Sequence, residues 1–554
     1  MYITTASESR ALDQTAIKDF GLMGLVLMEV AARSILKAAL DHWPQLADET
    51  QNIIILAGPG QNGGDGWVLA RLLTDLGHNV TTYLVKKPQS EVVGDAAVNF
   101  SIAQKLCLNI KTIQNDSDAL PEWEKADLVI DALFGTGLNK PLENSPAGAA
   151  PKLLDGQPAR VLQSASAAKL ALSKLASSKR AFKVLAVDLP SGLSSDTGDA
   201  ASETLRADLT VTLGTYKRGL LLKKGPELAG EVVLGDIGLC RAMFERVSLK
   251  GRLLDDDLAA SLIPARPNWG HKGTFGHAVV CGGSPGKTGA LVLAALGAKR
   301  SGCGLITVAH ASSLTDLFQS KVASAMTKAL PQQDDGCLGP GSEEPLLEFL
   351  SRCQALGFGP GLGLTPGTKL LTERLAENLE LPMVLDADAL TNLSGRTEIL
   401  AKSKGKRVLT PHPAEAARLL GATTEQIQDD RIGWAVKLAS VSRATVALKG
   451  RHTVIASPDG RFLINDNGSP ILACGGSGDL LTGLLTGILA WKVEPFEAAA
   501  LAVHLHGLAG DLASKNLGPW GVTPKEIQKQ LPRAWAALAR IGLKNAQSGI
   551  QRTP

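Results

Sequence analysis

The sequence predicts an α/β protein of at least two domains, each built on a largely parallel sheet. Three observations carry this. The chain has 554 residues, enough for two or three domains with sizeable cores. Short apolar, strand-like runs recur, and each empties into a glycine-bearing turn before a helical stretch. Glycine is abundant, at 58 residues, and many glycines stand where those runs end, the pattern of an α/β nucleotide binder.

Composition narrows the partners. With 57 basic against 54 acidic side chains the net charge is only +3, so neither a nucleic-acid nor a membrane footprint is expected. Aromatic residues are scarce at 4%, which argues against base-stacking platforms. Seven cysteines, with no C-x-x-C pair, read as reduced thiols of a cytoplasmic protein. The apolar stretch 21–40 carries Glu29, Arg33 and Lys37, so it is neither a signal peptide nor a span.

Taken in order, residues 10–40 read as one amphipathic helix ending near His42-Trp43-Pro44. Residues 52–57 form a buried strand that runs into Gly58-Pro59-Gly60-Gln61-Asn62-Gly63-Gly64-Asp65-Gly66, with a helix expected from Trp67. This contains the dinucleotide fingerprint G-x-G-x-x-G. The next strand, 80–85, ends in Lys86-Lys87 and not in the acid that would hold a ribose hydroxyl, which weakens an ordinary dehydrogenase reading.

Two further strand ends repeat the design. Residues 127–131 end on Asp131 and lead to Ala132-Leu133-Phe134-Gly135-Thr136-Gly137-Leu138; residues 184–188 end on Asp188 and lead to Leu189-Pro190-Ser191-Gly192. Parallel strands bring these ends to one edge, where ligands bind in open α/β sheets. Oxygens of Asn62, Asp131 and Ser191 suit a cation there, and Asp188 is left as the spare carboxylate. Each acid alone also suits a loop cap.

G-P-G-Q-N-G-G-D-G, D-A-L-F-G-T-G-L, V-D-L-P-S-G-L and T-V-T-L-G-T-Y-K-R-G-L-L-L together resemble the NAD(P)H-hydrate epimerase family over roughly residues 5–245. The resemblance implies a Rossmann-like αβα domain, placed at residues 1–246. It implies potassium held by Asn62, Asp131 and Ser191. It also implies hydrate contacts from Gln61, Asn62, Gly63, Gly64 and Asp65, from Gly135, Thr136, Gly137, Leu138, Asn139, Lys140 and Pro141, and from Asp188. Gln61 replaces the family's usual second Asn. Segment 142–183 is long for the family; its Ala/Ser/Lys/Leu run at 164–178 reads either as an edge helix or as a mobile insertion.

The second domain is placed at 247–545, with 546–554 as a tail. Gly282-Gly283-Ser284-Pro285-Gly286-Lys287-Thr288 tempts a P-loop assignment, but Cys281 stands where the first glycine is required. Strands at 277–281, 355–358, 383–385, 408–409 and 445–449 end in functional-looking turns. His412 lies between two prolines, and His504 and His506 stand two apart in a helical stretch, so they face different sides and no metal is expected there.

The most telling stretch is Cys474-Gly475-Gly476-Ser477-Gly478-Asp479-Leu480-Leu481-Thr482-Gly483, a glycine-rich turn opening an apolar helix. Backbone N–H groups and the helix dipole there favour a phosphate or oxyanion. Asp479, in the first turn, is poorly placed to bind phosphate and well placed to take a proton from a hydroxyl that attacks phosphorus. It equally suits a plain helix cap.

With H-K-G-T-F-G-H, G-P-G-L-G, D-A-D-A-L, T-P-H-P-A-E and K-G-R-H-T, this stretch resembles ADP-dependent NAD(P)H-hydrate dehydratases of the ribokinase-like fold, over roughly 250–540. The resemblance implies adenine-nucleotide contacts at Lys449, Gly450, Arg451, His452, Thr453 and Gly478, and hydrate contacts at Ala290, Gly361, His412 and Asp479. Ala414 stands where that family usually has glycine. The whole chain is therefore similar to the bifunctional repair family. The expected activities are epimerisation of R and S NAD(P)H-hydrate, and dehydration of the S form with ADP converted to AMP and phosphate. Asp188 and Asp479 are the catalytic candidates, Mg2+ accompanies the nucleotide, and a homo-oligomer is expected. The alternative is a ribokinase-like vitamin or sugar kinase with an N-terminal nucleotide-sensing module.

Overall fold

In the computed structural model, residues 1–87, 89–138, 154, 156–174 and 181–547 are described. The chain divides into two compact units, Met1–Leu249 and Lys250–Pro554. Both are mixed α/β, as the sequence predicts.

In the first unit the strands are β1 (Tyr2–Thr4), β2 (Asn52–Ala57), β3 (Asn79–Val85), β4 (Ile110–Ile113), β5 (Leu128–Ala132), β6 (Lys183–Val187), β7 (Leu209–Leu213), β8 (Tyr216–Lys217) and β9 (Glu231–Gly235). The main sheet runs β4-β3-β2-β5-β6-β7-β9, all parallel. Burial on both faces explains the unbroken apolar strands. Ile53, Ile55, Leu128, Ile130, Leu185 and Val187 pack on one face, under the helices Gly24–His42 and Gln61–Asp75. Ile54, Leu56, Val129, Val184 and Ala186 pack on the other, with Val161, Leu162 and Ala165 of the helix Gly156–Lys174. Side chains two apart therefore share a face. The strand order reverses between β2 and β5, which opens a crevice at their C-terminal ends.

Two sequence expectations change here. The single helix over 10–40 is two, Ala6–Lys18 and Gly24–His42. Gly21 adopts φ +73°, and Leu22 N–H reaches back to Ala16 O at 3.0 Å, a left-handed helix stop that β-carbon sterics reserve largely for glycine. The helix expected from Trp67 begins at Gln61, so Asn62, Gly63, Gly64 and Asp65 are helical. Helix propensity argues against so glycine-rich a start. Packing overrides it: a Cβ on Gly63 would collide with the Gly58 carbonyl. The run at 164–178 is helical through Lys174; positions 175–178 lie outside the described residues, as does most of 142–155.

In the second unit the strands are β10 (Gly251–Leu254), β11 (His277–Cys281), β12 (Leu305–Ala311), β13 (Met326–Leu330), β14 (Ala355–Phe358), β15 (Met383–Leu385), β16 (Arg407–Leu409), β17 (Thr445–Leu448), β18 (Val454–Ala456) and β19 (Phe462–Asn465). They lie in the order β13-β12-β11-β14-β15-β16-β17-β18-β19-β10. Pairing is parallel except for β18, which is antiparallel to both of its neighbours. The apolar helix Ser477–Leu489 packs against the helix Thr288–Lys299 with no room for side chains between them. A Cβ on Gly483 would strike Ala294 O, and one on Gly297 would strike Leu480 O. No helix among the described residues is long and apolar enough to cross a membrane, and all seven cysteines are free thiols.

Candidate active sites

In the first unit the site lies at the crevice where the sheet order reverses. Asp131, next to last in β5, is fully buried, and accepts Ser191 N–H at 2.8 Å and the Ser191 hydroxyl at 2.6 Å. The Ser191 oxygen in turn accepts Phe134 N–H at 3.0 Å. Burial raises the Asp131 carboxyl above its ordinary pKa, against the lowering by these donors. Asn62 lies opposite, and its amide nitrogen is buried without a hydrogen-bond partner. A Cβ built on Gly135 would sit 3.1 Å from Asp188 Oδ2 and 3.2 Å from Asn62 Oδ1, so the loop after β5 brings these two groups to one place. Gly135, Thr136 and Gly137 belong to this loop, and the Leu138 backbone ends its short 3-10 turn; Asn139, Lys140 and Pro141 lie outside the described residues.

Asp188 is not the spare carboxylate expected from the sequence. Its Oδ1 accepts from Lys217 Nζ at 2.6 Å, Leu213 N–H at 3.1 Å and the Thr212 hydroxyl at 3.2 Å. Two more carboxyls face this pair. Burial, followed by the Asp188 and Asp13 charges, drives Asp65 well above its usual range. Burial opposed by Lys217 leaves Asp13 at about 6. Sequence reasoning singled out neither Asp13 nor Lys217. The only signal was the K of T-Y-K-R-G, a lysine set among residues of strand character.

In the second unit the turn before the helix Ser477–Leu489 has Gly476 at φ +91°, and the space above Gly475 is open. No side chain caps this helix, and Asp479 makes no hydrogen bond among the described residues. The plain-cap reading therefore has no support in the geometry. Lys449, just past β17, bonds Asp386 Oδ1 at 2.7 Å, and the Thr482 hydroxyl bonds Asp386 Oδ2 at 2.6 Å. A Cβ on Gly478 would lie 3.2 Å from Lys449 Nζ, which puts the ammonium beside the turn. Burial works against the Lys449 charge, but Asp386 and Glu415 hold its pKa above the ordinary value.

Burial, followed by the Asp386 charge and opposed by Lys449, pushes Asp479 up to about 7. Burial likewise raises Glu415 to about 7. His412 starts the helix Pro413–Leu420: its Nδ1 accepts Ala414 N–H at 3.2 Å, and Glu415 Oε2 accepts His412 N–H at 2.8 Å. Ala290 and Gly361 adjoin across β11 and β14, since a Cβ on Gly361 would lie 3.3 Å from the Ala290 methyl. Beside them Asp388 accepts Gly363 N–H at 2.8 Å and pairs with Lys287 at 3.1 Å.

The loop Lys449, Gly450, Arg451, His452, Thr453 is braced from below. Arg431 donates to Leu448 O at 3.1 Å and to Lys449 O at 3.2 Å, and Asn465 N–H bonds Thr453 O at 3.0 Å. Burial, then the Arg451 and Arg431 charges, brings His452 down to about 4. His504 and His506 do face apart: His504 meets Asn465 and Asp256, whereas His506 meets Ser477 at 3.2 Å. Asp386 and Thr482 were missed as site-builders, although both lie within the motifs D-A-D-A-L and G-D-L-L-T-G.

Comparison with known proteins follows this division. Residues 278–533 match the family model described as NAD(P)H-hydrate dehydratase, and residues 24–219 match that of the YjeF-related protein N-terminus. The protein of Moorella thermoacetica called bifunctional NAD(P)H-hydrate repair enzyme Nnr is 38% identical over 539 residues, covering 96% of each chain. The proteins of the same name from Thermofilum pendens and Escherichia coli K12 are 34% and 31% identical, over 97% and 92% of this chain and 97% and 90% of theirs. A solved ADP/ATP-dependent NAD(P)H-hydrate dehydratase of Bacillus subtilis, co-crystallised with ATP/Mg2+, is 31% identical, covers 52% of this chain and 98% of its own, and gives a TM-score of 0.45.

Proposed function

The chain belongs to the family of bifunctional NAD(P)H-hydrate repair enzymes, and from that premise we propose how its two units divide the work. The protein epimerises R and S NAD(P)H-hydrate and dehydrates the S form to NAD(P)H. The observation that carries the residue assignment is the uncapped, half-buried Asp479 beside an open glycine turn and the Lys449 ammonium.

In the second unit the N–H groups of residues 475–478 receive the phosphate of ADP, with Lys449 alongside. Lys449, Gly450, Arg451, His452 and Thr453 hold the rest of the nucleotide. Ala290, Gly361 and His412 position the hydrate. Asp479 takes the proton of the hydrate hydroxyl as that oxygen attacks the β-phosphorus of ADP and AMP departs. The phosphate ester is then a far better leaving group than hydroxide; the ring nitrogen lone pair expels it, and loss of a proton from the neighbouring ring carbon restores the double bond. Mg2+ would accompany the nucleotide and offset charge on its phosphates. Among the described residues no group of three His, Cys, Asp or Glu side chains forms a protein cage for it.

A base near pKa 7 has a visible consequence. Asp479 works deprotonated and its pKa is raised, so activity is lost as pH falls through about 7. We expect kcat/KM for dehydration to rise about tenfold per unit up to that point and then level off. The check is a pH series of reduced-nicotinamide absorbance recovery. A flat profile from pH 5 to 8 removes Asp479 as the base.

In the first unit Gln61, Asn62, Gly63, Gly64, Asp65 and the loop from Gly135 contact the hydrate, and Asp188 moves the proton. The residues also suit potassium: Asp131 is a buried carboxylate with no cationic partner among the described residues, Ser191 bonds it, and Asn62 offers an oxygen beside Gly135 of the loop that follows β5. Such a cation would offset the Asp131 charge and order the loop after β5. Replacing potassium with tetramethylammonium should lower the epimerisation rate and leave dehydration of purified S hydrate less affected. An unchanged rate removes the assignment. The whole reading is tested on mixed-epimer hydrate with ADP. Absorbance should recover completely, with release of phosphate; a phosphorylated product would instead favour the kinase alternative. The free thiols suit a reducing cytoplasm.

A further inference from the structure

We propose that Lys217 is a positioning residue for epimerisation: it clamps one oxygen of Asp188 and so presents the other, Oδ2, to the substrate. This deepens, and rests on, the reading of Asp188 as the proton-transfer group.

Every donor to Asp188 among the described residues arrives at Oδ1, from Lys217, Thr212 and Leu213. None reaches Oδ2, the oxygen that looks onto Gly135 beside Asn62. Lys217 is itself held: its ammonium has three protons and three acceptors, Asp188 Oδ1, Leu213 O at 2.6 Å and Thr215 O at 3.1 Å. With 1% of its surface exposed it cannot exchange these for water. The Asp188 backbone lies at φ +66°, a costly conformation for a residue with a Cβ, and Asp188 N–H is tied to Val211 O at 2.9 Å. A strained, clamped carboxylate with one free oxygen is preorganised for transfer at that oxygen.

The electrostatics agree. Asp13, Asp65 and Asp188 surround a single ammonium. Of these three carboxyls Lys217 bonds only Asp188, and burial favours the neutral forms of the other two.

The experiment compares Lys217→Met with wild type in the full chain, following R/S exchange from pH 5.5 to 8.5. The expected result is a kcat lower by about a hundredfold, with KM changed far less. Dehydration of S hydrate should be unaffected. A folded variant with wild-type kcat overturns the proposal. If circular dichroism shows Lys217→Met unfolded, the decision passes to Thr212→Val, which removes a second donor to Oδ1. It should lower kcat roughly three- to tenfold; an unchanged kcat overturns the clamp. Asp188→Asn runs in parallel. If it exchanges R and S normally, the reading of Asp188 fails and the clamp with it. If it is inactive while Lys217→Met is normal, only the role of Lys217 falls.

Discussion

Asp479→Asn abolishes ADP-dependent regeneration of NAD(P)H while ADP binding persists. Loss of a general base costs about a hundred- to ten-thousand-fold in rate. The amide keeps the shape of the carboxylate but cannot take the hydroxyl proton. The substitution disturbs little else, because Asp479 neither caps its helix nor bonds a described neighbour. Removing a half-buried acid beside Asp386, Asp388 and Glu415 also relieves repulsion, so the variant should be at least as stable as wild type at pH 8. On the proposed reading, ADP contacts fall to the 475–478 amides, Lys449 and the loop that follows it, none of which changes. Calorimetric ADP titration and absorbance recovery on one sample decide the matter. Near-normal turnover assigns the base elsewhere. Loss of both turnover and ADP binding means that the anion site was damaged.

Asp188→Asn stops R/S exchange and spares dehydration of the S form. The expected loss is again about a hundredfold or more. Here folding deserves a control, because Asp188 Oδ1 answers the Lys217 ammonium, and an amide leaves that buried charge without its anion. The variant should therefore melt earlier, by an amount a thermal scan registers, while remaining folded at 25 °C. Chromatographic exchange of R and S hydrate is the measurement. With mixed hydrate and ADP, the variant should recover only the S fraction promptly, and the remainder should follow at the spontaneous epimerisation rate. Wild-type exchange would leave Asp188 as a structural residue that anchors the turn after β6.

The parts of both sites carried by local pattern were legible in the sequence. Strands ending in Asp131 and Asp188, and the glycine turn before Asp479, are runs of a few residues whose chemistry and geometry are written together. What escaped notice depends on distant pairing. Lys217 sits on a two-residue strand, 29 positions from Asp188, and only the fold shows that its ammonium lies behind that carboxylate. Asp386 was visible as a motif residue, but its bonds to Lys449 and Thr482 span 63 and 96 positions. The misplaced helix start at Gln61 has the opposite cause. Local propensity reads Asn62-Gly63-Gly64 as a turn, and the close approach of Gly63 to the strand-end backbone at Gly58 makes it helix.

The two glycines at the crossing of the helices Thr288–Lys299 and Ser477–Leu489 set a limit on motion. Where backbone meets backbone at Gly297 and Gly483, neither helix can slide by a residue or roll about its axis without driving a carbonyl into its neighbour. The crossing acts as a keyed joint with one seating. If Asp479 is the base, this joint should hold it and the amides of its turn in place during turnover, and adjustment to the substrate should fall to the loops around them.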